Sequence, residues 1–201
     1  MAANPKTVER PRPTYAVADL FPREGEWTEE DYLALDTNHI IELSDGNLEV
    51  AEMPTDLHQL ILMRLVMAIF AWVSQTKLGR VRFSALPVRL WPGKIREPDL
   101  VFMATTHLDR ITQKYWGIPD LVAEIISPGN PDHDRVRKEH EYARAEIPEY
   151  WIVDLQEKTI EVYRLRTRQY RLDRTLGIDD TLTSTQLPGF ELALADLFAE
   201  E

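Results

Sequence analysis

Two carboxylates stand where a carboxylate is expensive. Glu124 lies inside the apolar run Leu121-Val122-Ala123-Glu124-Ile125-Ile126, and Asp99 follows Pro98 at the head of Leu100-Val101-Phe102. An ionised acid in an apolar strand costs free energy unless it is paired or bound to a metal. If the two strands are neighbours in one sheet, the carboxylates converge. Such a pair suits Mg²⁺ or Mn²⁺, hard cations that take oxygen ligands and keep waters for reaction. The plain alternative is that each acid caps a loop or pairs with an arginine; it is weaker for Glu124, whose strand is so apolar.

A cation would complete such a site, and Lys138 is the candidate. Tyr142, at i+4, shares its helix face. An ammonium placed there orients a water or stabilises charge on a phosphate in the transition state. Standing against this is an ordinary solvated lysine among Arg135, Arg137 and Glu139. His58 begins an apolar helix, where it could assist near phosphate or serve as a structural hydrogen-bonding group. His107, His133 and His140 show no zinc-ligand spacing. Trp72, Trp91 and Trp151 sit in apolar runs and read as core.

Late in the chain Arg164, Arg166, Arg168, Arg171 and Arg174 cluster with Tyr163 and Tyr170. On a strand the first three share one face, which could contact a phosphate backbone or be the solvated side of a hairpin. No glycine-rich phosphate loop, Ser-His-Asp spacing or dinucleotide fingerprint occurs.

The elements that must position these residues follow from punctuation and periodicity. Residues 1 to 26, with Pro5, Pro11, Pro13 and Pro22, read as an extended arm, and 27 to 201 as one domain. Thr28 caps a helix with acids in its first turn. Asp45-Gly46 joins two strands as a hairpin. Asp56 or Thr55 caps a helix running through Val73 toward Gly79, apolar nearly all round and therefore expected at the centre. Its greasiest part, Leu60 to Val73, falls short of the roughly 20 apolar residues a bilayer demands. Strand-like segments fill Arg80 to Met103. Leu121 to Ile126 is a strand ended by Ser127-Pro128-Gly129. Asp132 or Asp134 opens a polar helix that stops near Ile147-Pro148. Tyr150 to Val153 is a strand buried on both faces. Ile160 to Leu165 and Gln169 to Leu172 form a hairpin, followed by a looser tail. The order implies an α/β domain around a mixed sheet.

Composition bounds the rest. With 201 residues, 44% hydrophobic and 28% charged, the chain can bury a real core and is not disordered throughout. It holds 23 basic and 34 acidic residues, a net −11, which disfavours a strong electrostatic nucleic-acid binder. The absence of cysteine excludes thiolate catalysis and disulfides. No apolar run opens the chain, so neither a signal peptide nor a membrane span is read, and the default location is cytoplasmic.

Glu42-Leu43-Ser44-Asp45-Gly46, His58, Pro98-Asp99-Leu100, Glu124-Ile125-Ile126-Ser127-Pro128, Lys138 with Tyr142, and Glu149-Tyr150-Trp151-Ile152-Val153-Asp154 occur in an order that resembles the Uma-type (Uma two) family. That family consists of restriction-endonuclease-like proteins of the PD-(D/E)XK nuclease superfamily, and the resemblance covers about residues 28 to 198. It implies an endonuclease-like core and Mg²⁺-dependent hydrolysis of phosphodiester bonds, with DNA as the substrate. It assigns Asp99 to the PD position and Glu124 to the following acid. Two residues beyond Glu124 the superfamily pattern has lysine and this chain has Ile126, so the lysine looks displaced to Lys138. Glu42 matches a recurrent family acid that could add a metal ligand or orient water, although a glutamate ahead of an Asp-Gly turn could equally face solvent. On this reading Asp99 and Glu124, with the Ile125 carbonyl as a further donor, hold one divalent ion while Lys138 orients the attacking water. A homodimer suits an enzyme that cuts two strands. The rival is a catalytically inactive binding protein on a nuclease scaffold, which Ile126 and the acidic balance favour.

Overall fold

The computed structural model describes residues 21–37, 39–126 and 131–200, with side chains from 136 onward in the last segment. Residues 1–20 of the expected arm and the Ser127-Pro128-Gly129 strand end lie outside the described residues. Thr28 starts α1 (Glu29–Leu33) through a reciprocal capping box, its Oγ1 accepting the Asp31 N–H at 3.1 Å while Asp31 Oδ2 accepts the Thr28 N–H at 3.0 Å. β1 (Ile41–Ser44) and β2 (Asn47–Val50) form the expected hairpin. Asp45 and Gly46 both take positive φ, 50° and 86°, the backbone a two-residue turn of this twist requires. Gly46 also packs against the Gly25 backbone, leaving no room for a Cβ. β5 (Lys94–Arg96) pairs with β1, and β4 (Val88–Trp91) with β5, completing a four-stranded sheet in the order β2-β1-β5-β4.

The larger sheet holds β3 (Gly79–Phe83), β6 (Leu100–Ala104), β7 (Leu121–Ile126), β8 (Glu149–Asp154), β9 (Thr159–Arg166) and β10 (Gln169–Leu176), in the order β10-β9-β8-β7-β6-β3. Every neighbouring pair is antiparallel except β7 with β8, which are parallel and connected through α3 (Pro131–Arg144). Strand alternation divides β7 between two cores. Leu121, Ala123 and Ile125 face α2 (Asp56–Thr76), where Ile61, Leu65 and Ile69 meet Phe102 and Trp151. Val122 faces the opposite side, where Tyr142 of α3 packs with Tyr150 and Ile152. Glu124 shares the Val122 side, beneath α3.

Three expectations need correction. Helix α2, capped by Thr55, spans 21 residues and is by length and composition alone long enough to cross a membrane. It is not enclosed: His58, Ile61, Leu62, Leu65, Ile69 and Val73 are buried, whereas Met63, Met67 and Phe70 are exposed. One stripe suffices to cover a sheet, so an all-round apolar helix leaves its second stripe outside. The looser tail is in fact ordered into the core. After β11 (Thr181–Leu182), β12 (Leu192–Ala193) and α4 (Leu194–Leu197), Leu182, Leu187, Phe190, Leu194 and Leu197 are buried against the α2 side of the sheet. Finally, α3 starts at Pro131 and ends at Arg144, with Glu146 in the left-handed region (φ 62°) and the Ile147 N–H on the Tyr142 carbonyl, a stop set before the proline.

Candidate active site

β6 and β7 are hydrogen-bonded neighbours, with Leu100 opposite Ala123. Asp99 immediately precedes β6, and its Oδ2 accepts the backbone N–H of Ile125 at 2.8 Å. The same oxygen lies 3.2 Å from His58 Nε2, so the first turn of α2 contributes the second contact. His58 is buried; burial alone would lower its pKa, but the hydrogen bond and charge of Asp99 outweigh that and raise it.

Glu124 is reached from α3. Tyr142 Oη donates to its Oε1 at 2.5 Å and Lys138 Nζ to its Oε2 at 3.2 Å, as the i, i+4 spacing of the two residues predicts. Burial pushes the Glu124 carboxyl up to about 7, and the nearby charges of Asp99 and Glu42 add to this, against Lys138 and the Tyr142 hydrogen bond. Tyr142, itself buried, is raised well above the ordinary tyrosine value, so it remains a donor.

Glu42 does not face solvent. It is 5% exposed, and Lys138 Nζ stands 3.6 Å from its Oε1, which also accepts the Glu97 N–H at 3.1 Å. Its Oε2 accepts Arg96 Nη1 at 2.8 Å. Lys138 therefore lies between Glu124 on the large sheet and Glu42 on the small one.

Arg96, Lys94 and Glu141 were not legible as site residues. Arg96 is fully buried on β5 and binds Glu141 of α3 with two nitrogens, Nε to Oε2 at 2.6 Å and Nη2 to Oε1 at 2.9 Å. Its Nη1 also meets Glu49 Oε2 at 2.7 Å. Lys94 Nζ donates to Glu141 Oε1 at 3.0 Å. These contacts clamp the small sheet to α3, the helix that carries Lys138. No spacing signal marks them, because the short run Lys94-Ile95-Arg96 resembles an exposed strand.

The arginine stretch does not join the site. β9 and β10 lie beyond β8, two and three places from β7. Arg164 Nη2 is 3.2 Å from Asp173 Oδ2. Arg168 sits with Thr167 in the β9–β10 turn at φ 65° and 49°, so it leaves the face expected to carry Arg164 and Arg166, and its Nε lies 3.3 Å from Glu146 Oε1.

Among the described residues no three His, Asp or Glu side chains form a ready-made metal cage. The donor set nevertheless fits Mg²⁺, which binds through one or two carboxylates and fills its remaining positions with waters and substrate phosphate. Asp99 and Glu124 are two such carboxylates, and Glu124 is a buried acid flanked by like charge, which a cation would relieve.

The mixed sheet, with Glu124 on β7 beneath α3 and Asp99 just ahead of β6, has a fold shared with a protein described as a nuclease. The chain matches a crystal structure described as "a putative nuclease belonging to DUF820" from Anabaena variabilis, with a TM-score of 0.70 over 86% of this chain and 98% of that one. At 20% identity the likeness is one of fold. The profile of the Uma2 family, described as "Putative restriction endonuclease", matches residues 29–195, and the chain belongs to that family. A search of curated proteins gave no match.

Proposed function

We propose that the protein is a divalent-metal-dependent endonuclease that hydrolyses the phosphodiester bonds of DNA. The observation that carries this reading is the approach of Lys138 to Glu124 while Asp99 is tied to the Ile125 amide. An acid–acid–lysine set is thereby completed from a helix, although Ile126 occupies the strand position of the superfamily lysine. Asp99 and Glu124 would hold Mg²⁺ or Mn²⁺, which when bound lowers the pKa of a coordinated water and neutralises phosphate charge.

The chain's own groups do the rest. His58 and the Ile125 N–H fix the Asp99 carboxylate. Tyr142 fixes Glu124. Lys138, shared by Glu124 and Glu42, presents N–H donors that orient a water or stabilise the charge developing on phosphate. The test is incubation of supercoiled plasmid, linear duplex, single-stranded DNA and RNA with Mg²⁺, Mn²⁺ or chelator, using wild type, Asp99→Ala and Lys138→Ala. Metal-dependent cleavage that Asp99→Ala abolishes and Lys138→Ala strongly slows is expected; undiminished cleavage by Asp99→Ala overturns the assignment. Binding of nucleic acid without cleavage by wild type would instead support the inactive-scaffold reading that Ile126 and the net charge of −11 favour.

A further inference from the structure

The outer stripe of α2 has a regular pattern. Leu60, Met63, Met67 and Phe70 recur at spacings of three, four and three residues, the pattern of a coiled-coil seam. Met63, Met67 and Phe70 are 51%, 63% and 57% exposed. Scattered exposed apolar residues need no explanation, but a row along one helix face marks an interaction surface. Arg64 on its flank does not interrupt the row, because its Nη1 is turned onto the Leu197 and Ala199 carbonyls at 3.1 and 2.6 Å.

The ends of this row carry opposite charge. Asp56 lies one heptad before Met63 in the first turn of α2, and Lys77, seven residues after Phe70, caps the C-terminal end of the helix in the left-handed conformation (φ 56°). Both are exposed, and among the described residues neither side chain has an ion-pair partner.

We propose that this face is a homodimer interface, in which α2 packs antiparallel against α2 of a second copy across a two-fold axis. The pairs Met63 with Phe70 and Asp56 with Lys77 share one midpoint, between Val66 and Met67. A single antiparallel register therefore sets Met63 against the partner's Phe70 and Asp56 against the partner's Lys77, each twice over, as an isologous contact requires. Parallel pairing would juxtapose like charges at both ends. The two helix dipoles also oppose favourably only in the antiparallel arrangement. The methionines at the centre supply flexible apolar side chains that adapt to a facing copy of themselves. Self-complementarity of charge about the row's own midpoint is what selects a second copy over an unrelated protein or a bilayer. The proposal rests on the outer face of α2 and is independent of the chemistry assigned to Asp99 and Glu124.

Sedimentation velocity of the full chain over a micromolar concentration series tests it, alongside flotation with phosphatidylcholine–phosphatidylglycerol vesicles. Wild type is expected at twice the 23.3 kDa chain mass. Met67→Glu, which brings two carboxylates together near the axis, is expected to be monomeric with an unchanged circular dichroism spectrum. Asp56→Lys and Lys77→Glu should each raise the dissociation constant several-fold, and combining them should restore it. Because the chain has no cysteine, Met67→Cys supplies one thiol per copy, which a short bismaleimide should join into a dimer. A wild type that stays monomeric, or a Met67→Glu protein that still dimerises, overturns the proposal. A charge-swapped double variant no tighter than Asp56→Lys overturns the antiparallel register. Flotation of monomeric wild type with the vesicles would overturn it in favour of a lipid surface.

Discussion

The Ile125 amide donates to Asp99 Oδ2 at 2.8 Å, so the residue that follows Glu124 holds the carboxylate that precedes β6. Strand pairing of β6 with β7 alone would leave the Asp99 side chain free to rotate. The added bond fixes it toward the residue next to the second acid, with His58 closing the other side. The relative placement of the two acids is thus built from backbone as well as side chain.

Lys138→Ala should lower single-turnover DNA cleavage by about 10²–10³-fold, the cost of removing one preorganised donor from an active site. Ile126 follows Glu124 by two residues on β7, and alternate strand residues share a face. Adding Ile126→Lys to Lys138→Ala should therefore recover part of the lost rate. A double variant as slow as Lys138→Ala would show that the lysine must approach from α3.

Metal binding can be read without turnover. Millimolar Mn²⁺ should raise the Tm of wild type by mass action and leave that of Glu124→Gln unmoved. In chelator at about pH 8 the same variant should melt no lower than wild type, because a carboxyl whose folded pKa is raised opposes folding once it ionises. Burial has pushed Glu124 up to about 7, so the penalty is fully developed above that pH and a neutral amide escapes it. A Glu124→Gln protein that gains the full Mn²⁺ shift would remove Glu124 from the ligand set.

Arg96→Met should destabilise the fold by about 3–5 kcal/mol in urea unfolding, the usual result of stripping one partner from a buried ion cluster. Glu42, Glu49 and Glu141 would then face one another without their shared guanidinium. Arg96→Lys should fall between, since an ammonium cannot reproduce the two-nitrogen grip on Glu141. Equal stability of Arg96→Met and wild type would show that the cluster contributes nothing net.

Acid should loosen the same clamp. Burial acts to raise the Glu141 and Glu49 carboxyls, but Arg96 outweighs it at both, aided by Lys94 and Arg137 respectively, and holds each below the ordinary 4.5. For groups depressed on folding, the stabilisation is complete above the unfolded value and is lost as pH falls through the folded one. The urea midpoint should therefore decline below about pH 4.5, and less steeply in Arg96→Met. Parallel slopes for the two proteins would place the acid-sensitive groups elsewhere.

Much of this was legible because local chemistry left marks. Asp45-Gly46 announced its turn, and the costly position of Glu124 announced a partner. The i, i+4 spacing of Lys138 and Tyr142 placed both on the helix face that meets Glu124. The illegible parts are those decided by long-range packing. Arg96 and Glu141 are 45 residues apart on elements that look solvated when read alone. Leu182, Phe190 and Leu194 lie in short, irregular segments whose burial depends on α2 being there to receive them. For Glu42 the sequence leaves a site role and solvent exposure both open, because nothing in the hairpin foretells the second sheet folding over α3.

The single parallel pair in the large sheet also bears on the lysine. After β7 the chain cannot double back at once; it must travel the length of β8 before re-entering, and α3 makes that journey across the face that carries Glu124. Connectivity therefore delivers a helix to the acid whatever residues line it. A lysine lost from the strand can be replaced by any helix position that looks down on Glu124, so the chemistry can change address while the architecture stays put.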